Sequence, residues 1–157
     1  MKTRFFAFVS CAVLLMAAGC KKEEPKVEPE SIIGEKSAPA WTNPEEYDLS
    51  TSMTAVVKID MTKTYEEKQL TEAGYEVTES DELAAFCDSV CLGTGELVNG
   101  LYFLYITAPE NEGNVKIKYY SSKLKNIFVS TESFPFRNDA SLGTVQEPYA
   151  PKFEVEK

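Results

Sequence analysis

The 157-residue chain contains no histidine, and that absence removes several chemistries together. Ser-His-Asp and Cys-His nucleophilic catalysis, histidine metal sites and histidine pH switches all need the imidazole. Cysteine is scarce too, with four in the chain. Zinc takes about four ligands, so one cysteine pair without histidine argues against a zinc site. The eight glycines show no phosphate-cradling spacing. No Asp-x-Asp-x-Asp run with the necessary glycine supplies a ready-made calcium loop. Basic residues are outnumbered, 16 against 25 acidic, for a formal charge of −9. A surface of that sign repels phosphate backbones and argues against nucleic acid as a partner.

Long apolar runs are also missing. The longest, Phe5 to Ala18, is broken only by Ser10 and follows the positive pair Lys2 and Arg4. Fourteen residues fall short of the roughly 20 that span a bilayer core as a helix. The order of charge, apolar stretch and small residues is that of a signal peptide. Ala17, Ala18 and Gly19 lead directly into Cys20, as a bacterial lipoprotein signal ends, with the thiol as lipid attachment point. Residues 1–19 are therefore expected to be removed. Taking Lys2 and Arg4 from the 16 basic side chains leaves 14 against 25 acidic ones, formally −11. Anionic headgroups repel such a surface, so the lipid rather than the protein is expected to hold the membrane.

Residues 20–40 are rich in proline and charge and poor in large apolar side chains. Such a segment cannot bury enough surface to offset the entropy of ordering it. It reads as a disordered tether, reaching at most about 65 Å when extended. Within it, Lys22-Glu23-Glu24 follows Cys20-Lys21 and resembles the export signal of Bacteroidota lipoproteins, which implies exposure on the cell surface. A charged tether without sorting meaning is the other reading. The expected location is the outer membrane, lipid-anchored.

Residues 41–157 are one domain's length, enough for a core without metal or several disulfides. Ala55 to Met61, Leu83 to Cys87, Val90 to Leu92, Leu101 to Thr107, Val115 to Tyr120 and Lys125 to Ser130 read as strands. Leu101 to Thr107 has the composition of a central strand buried on both faces. Asp88-Ser89, Gly93 to Gly95, Asn99-Gly100 and Asn111 to Asn114 fall between these runs as turns. Thr64 to Ser80 reads as an insertion, with a helical turn around Tyr65 to Leu70. About seven short strands with frequent turns indicate an all-β fold, a single antiparallel β-sandwich of Ig-like or jelly-roll-like kind.

The motifs Asp81-Glu-Leu-Ala-Ala-Phe86, Cys91-Leu-Gly93, Gly100-Leu-Tyr-Phe-Leu104, Lys116-Ile-Lys-Tyr-Tyr120, Phe136 and Leu142-Gly-Thr144, ending near Pro148-Tyr149, occur in that order. With Trp41 and Met53 to Val56, this resembles a β-sandwich module of secreted and surface proteins of Bacteroidota. That module reads Asp-x-Leu-Ala-Ala-Phe, a turn, then Cys-Arg-Gly; here Leu92 stands in place of the arginine. The resemblance implies a fold and a cellular setting and carries no activity.

With Cys11 in the leader and Cys20 lipidated, Cys87 and Cys91 remain. If Asp88 to Val90 form a three-residue loop, the two face each other within disulfide reach, in a compartment that preserves the bond. Two free, buried thiols are the alternative. Carboxylates are the remaining source of chemistry: Asp81, Glu82 and Asp88 near the first motif, and Glu110, Glu112 and Asp139 on loops. A glycosidase pair or a calcium site could draw on them; a solvated acidic face is the plainer reading. Flat aromatic rings can stack on sugars, so Trp41, Tyr102, Tyr105, Tyr119 and Tyr120 are the candidate ligand platform, against the ordinary role of aromatics as core. Tyr119 and Tyr120, being adjacent in a strand, point to opposite faces.

The expectation is a non-catalytic, lipid-anchored binding or adhesion module with a glycan or surface protein as ligand and no cofactor. An accessory subunit of a larger outer-membrane assembly is the first alternative. A carboxylate-dependent hydrolase is the second.

Overall fold

β-Branched and aromatic residues supply the strands here, and their alternation decides which face is buried. The computed structural model describes residues 31–45, 51–108 and 113–157. Its strands are β1 (Ser52–Val57), β2 (Glu82–Cys87), β3 (Val90–Val98), β4 (Leu101–Thr107), β5 (Asn114–Ser121), β6 (Asn126–Ser130), β7 (Phe134–Pro135), β8 (Ser141–Leu142) and β9 (Phe153–Val155). A 3-10 turn at Met61–Lys63 and a short helix, α1 (Glu67–Glu72), lie between β1 and β2.

The strands form one curled sheet in the order β8-β1-β4-β3-β2-β5-β6-β9, with β7 paired to β5 beside this path. The fold is all-β, as expected, but the sheet is mixed. β8 runs parallel to β1, pairing Thr54 with Ser141 and Ala55 with Leu142. The chain reaches β1 by crossing from β7 beside β5, and a crossover of that kind permits parallel pairing where a tight hairpin does not.

Turn chemistry explains two of the hairpins. Asn99 and Gly100, at φ 52° and 78°, give β3–β4 the left-handed pair that a two-residue hairpin favours. Asp88, at φ 52°, opens the β2–β3 turn. Gly93 to Gly95, expected as a turn, instead lie inside β3. A Cβ on Gly93 would stand 2.1 Å from the carbonyl oxygen of Tyr105. The glycine is there for close backbone approach, not for reversal.

β1 ends earlier than its composition suggests, because Asp60 accepts bonds from Thr62 N–H and Oγ1 (3.2 and 2.5 Å) and starts the 3-10 turn. α1 ends at Gly74, φ 68°. There Gly74 N–H bonds to Thr71 O and Tyr75 N–H to Leu70 O, the Schellman arrangement. The insertion thereby lays Leu70, Tyr65, Tyr75 and Val77 onto the core.

That core is aromatic. Tyr119 packs between Phe128, Phe153 and Tyr102 at centroid distances of 6.3, 6.1 and 6.4 Å. All four are at most 1% exposed, and burying each such ring contributes about 2 kcal/mol. β4 is not buried on both faces. Tyr102, Leu104 and Ile106 point inward, whereas Phe103 and Tyr105 are 38% and 47% exposed.

A further departure concerns residues 31–40, expected as part of a disordered tether running to residue 40. They lie on the domain. Ile32 enters the core cluster. Gly34 and Lys36 N–H donate to the carbonyls of Leu124 and Lys125 (2.9 and 2.8 Å), and Tyr120 OH donates to Lys36 O (3.3 Å). A single buried isoleucine and a short row of backbone bonds offset the ordering entropy that composition alone made prohibitive. β2 is consequently covered on both sides, with Leu83 and Ala85 in the core cluster and Ala84 and Phe86 also buried. Residues 20–30, and with them Cys20, Lys22, Glu23 and Glu24, lie outside the described residues.

Candidate functional site: a bridged cleft between two strands

β3 changes partner midway. Its first half pairs with β2 as far as Ala84 opposite Thr94, and from Gly95 onward it pairs with β4. Beyond Thr94 the two strands part, while Glu82 and Leu83 pair with β5 on their other side. A cleft of about 350 Å³ opens in this gap, lined by Ala40, Trp41, Thr42, Asp81, Glu82, Leu83, Thr94 and Gly95.

Residues 40–43 bridge it. Ala40, at φ 52°, turns the chain so that its own N–H and that of Trp41 donate to the Glu82 carboxylate (3.3 and 3.1 Å). Three residues on, Asn43 Oδ1 accepts from both Thr94 N–H and Thr94 Oγ1 (2.7 and 3.0 Å). One end of the bridge is thus fixed to β2 and the other to β3. The half-buried Trp41 ring meets Phe86 edge-on at 5.5 Å. The opposing claim on Phe86 is Lys118 Nζ, 4.7 Å from its centroid and held by Glu156 at 2.5 Å.

Asp81 closes the inner end. Its carboxylate accepts from Thr78 N–H and Oγ1, from Ser122 N–H and Oγ, and from Tyr119 OH at 2.5 Å. Five donors saturate it. Tyr75 and Tyr102 stand in its electrostatic field, and neither hydroxyl has a hydrogen-bond partner of good geometry among the described residues. Burial is the main cause that pushes Tyr75 up to about 12, with the Asp81 charge adding to it. Burial likewise raises Tyr102 and Tyr119 well beyond the ordinary tyrosine range.

Of the five platform candidates, three are spent on structure. Tyr102 and Tyr119 are core, and Tyr120 is buried on the opposite face from Tyr119 under the N-terminal segment. Trp41 lines the cleft. Tyr105 is exposed on β4, its hydroxyl accepting from Ser52 Oγ at 2.8 Å, and is not part of the cleft lining. The sequence reading missed Thr94 and Asn43. The Gly93-Thr94-Gly95 triplet was the available signal, since isolated strand glycines mark close backbone approach.

Of the two cysteine readings, the structure has the free thiols. Cys87 and Cys91 are free thiols, because the loop is two residues long, Asp88-Ser89, and pairs Cys87 with Val90. A bulge between Ala85 and Phe86 then sets Cys91 opposite Phe86, on the outer face. Cys87 packs on the core, where a Cβ on Gly113 would lie 2.7 Å from its sulfur. Among the described residues, no three His, Cys, Asp or Glu side chains gather as a metal site. No helix among them is long and apolar enough to cross a membrane. Asp88 and Asp139 sit exposed on turns, while Glu110 and Glu112 lie outside the described residues.

No protein-family model, no curated protein and no solved structure matches this chain.

Proposed function

We propose that this chain is a non-catalytic binding module, lipid-anchored at Cys20 in the outer membrane and facing the cell exterior, with a glycan as its ligand. The observation that carries the reading is the bridged cleft. An aromatic ring, two carboxylates and a threonine hydroxyl converge on a concavity of the size that holds a small ligand. Its bridge is pinned at both ends, so the lining is preorganised and little ordering entropy is lost on binding. On this reading the curled sheet is a sandwich of the Bacteroidota surface-module kind, its two halves joined through the partner exchange in β3. The lipid, together with Lys22, Glu23 and Glu24 as export signal, delivers the cleft to the surface.

Intact cells treated with protease test the setting. Release of the domain without opening the outer membrane is the expected result; protection would place it in the periplasm. Binding to a glycan panel, compared between the natural chain and Trp41→Ala, tests the activity.

A second reading rests on a different observation. Phe103 and Tyr105 are exposed side by side along β4, with Val98 41% exposed at the end of the adjoining strand. That face suits an accessory subunit docked on a larger assembly. Co-purification with a fixed partner, lost in Phe103→Ser, and indifference to glycans would favour it. A surface protein as ligand would use the same face.

A further inference from the structure

We infer that the cleft between β2 and β3 takes a neutral sugar unit and excludes sugars bearing a carboxylate or sulfate; the inference rests on the glycan reading above. Among the described residues, the lining contains Asp81 and Glu82 and no lysine or arginine. Lys118, beside the covered Phe86, and Lys36 share the one carboxylate of Glu156, and neither lines the cleft. An anionic ligand would therefore enter a partly desolvated gap against two carboxylates with no cation in the described lining, where like charges repel more strongly than in open water.

A neutral polyol meets the opposite conditions. Glu82 uses one bond per oxygen on the bridge, and a carboxylate can accept about four. The Trp41 ring offers an apolar face to the C–H side of a pyranose. The strands part at Thr94, so backbone groups of β2 and β3 turned toward the gap have no ladder partner across it. Behind Gly95, within 3.3 Å of where a Cβ would sit, lies the ring of Tyr102. Its hydroxyl is buried, lies within the electrostatic reach of Asp81, and has no partner among the described residues. A lining of acceptors, hydroxyls and one aromatic ring is matched by a ligand that both donates and accepts and carries no charge.

Trp41 is the one tryptophan of the chain, so its fluorescence reports on the cleft directly. The full chain in detergent is titrated with maltopentaose and a neutral mannan oligosaccharide, with sialyllactose and an oligogalacturonate, and with choline. The inference expects a saturable change in emission with at least one neutral oligosaccharide, and binding of the acidic ones weaker by about tenfold or more. Glu82→Gln, which keeps one of the two bridge acceptors and removes a charge, should narrow that difference. Equal or tighter binding of the acidic sugars overturns the inference and leaves the glycan reading standing. A response to choline alone overturns both and makes the cleft a cation site. A tryptophan unmoved by any of these also overturns both, and the β4 face becomes the site to pursue.

Discussion

The carboxylate of Glu82 accepts the backbone N–H of Trp41 at 3.1 Å, and through that bond β2 holds the N-terminal segment over its own outer face. Glu82→Ala should release the bridge from β2 while Asn43 keeps its hold on Thr94. Two partly exposed charge-assisted bonds contribute about 1–3 kcal/mol together, so a modest loss of stability is expected. The sharper outcome is spectroscopic: Trp41 leaves Phe86, its emission moves to the red, and ligand affinity falls. Unchanged emission would mean that packing of Trp41 on Phe86, not Glu82, positions the bridge.

Alkaline pH should destabilise the fold in a defined window. Tyr75, Tyr102 and Tyr119 all have folded values above the ordinary 10, so the native state keeps protons that the unfolded chain releases. Their contribution is fully present below pH 10 and is lost as pH rises through the folded values. For Tyr75 that loss is complete near 12, and for the other two it continues beyond. Each tyrosine held neutral adds a slope of about 1.4 kcal/mol per pH unit above 10. Denaturant unfolding at pH 9 to 11.5 measures it. Tyr102→Phe should flatten the slope and, by removing an unpartnered hydroxyl, hold or raise stability at pH 7. A slope equal to that of the natural chain would place Tyr102 in contact with water.

The strands β2, β4 and β5 were legible from the sequence because each is a run of β-formers bounded by turn residues, and Leu101–Thr107 agrees end to end. Facing was less legible. The aromatics at 103 and 105 are of the same residue types as core residues, and only the burial of Tyr102, Leu104 and Ile106 on the other face of β4 shows them turned outward. Trp41 was identified as a candidate, but the cleft was not, since it arises where one strand exchanges partners and no local pattern encodes that. Composition does not show where the N-terminal segment lies, because it sums over residues, whereas one anchored side chain, Ile32, holds the segment on the core.

Gly93 and Gly95 bracket the exchange and should respond differently to alanine. At Gly93 the added Cβ would meet a backbone carbonyl at 2.1 Å, so β3 and β4 must separate. A loss of about 3 kcal/mol or more is expected. At Gly95 the nearest atoms are the side chains of Leu104 and Tyr102 at 3.3 Å, which can shift by a few tenths of an ångström. Gly95→Ala should cost about 1 kcal/mol, and because its methyl enters the core beside Leu104 and Tyr102 rather than the cleft, affinity should change little. Thermal unfolding of both variants, beside ligand titration of Gly95→Ala, separates these effects.

The thiols at 87 and 91 should stay reduced in an oxidising medium. Pairing places Cys87 against Val90 and Cys91 against Phe86, so adjacent strand positions send the sulfurs to opposite faces, and closing a bond would require the bulge at Ala85/Phe86 to be undone. Burial is the leading cause that raises the Cys91 thiol above its usual value, so its thiolate, the reactive form, is scarce at neutral pH. Alkylation of the native chain without reductant should therefore be slow at Cys91. After unfolding, both cysteines should be labelled on the peptide that carries them. Reductant should leave the thermal midpoint unchanged, since no loop is closed. Recovery of that peptide with the two sulfurs joined and resistant to alkylation would show that the three-residue loop, with Val90 at its end, is the turn the protein adopts when oxidised.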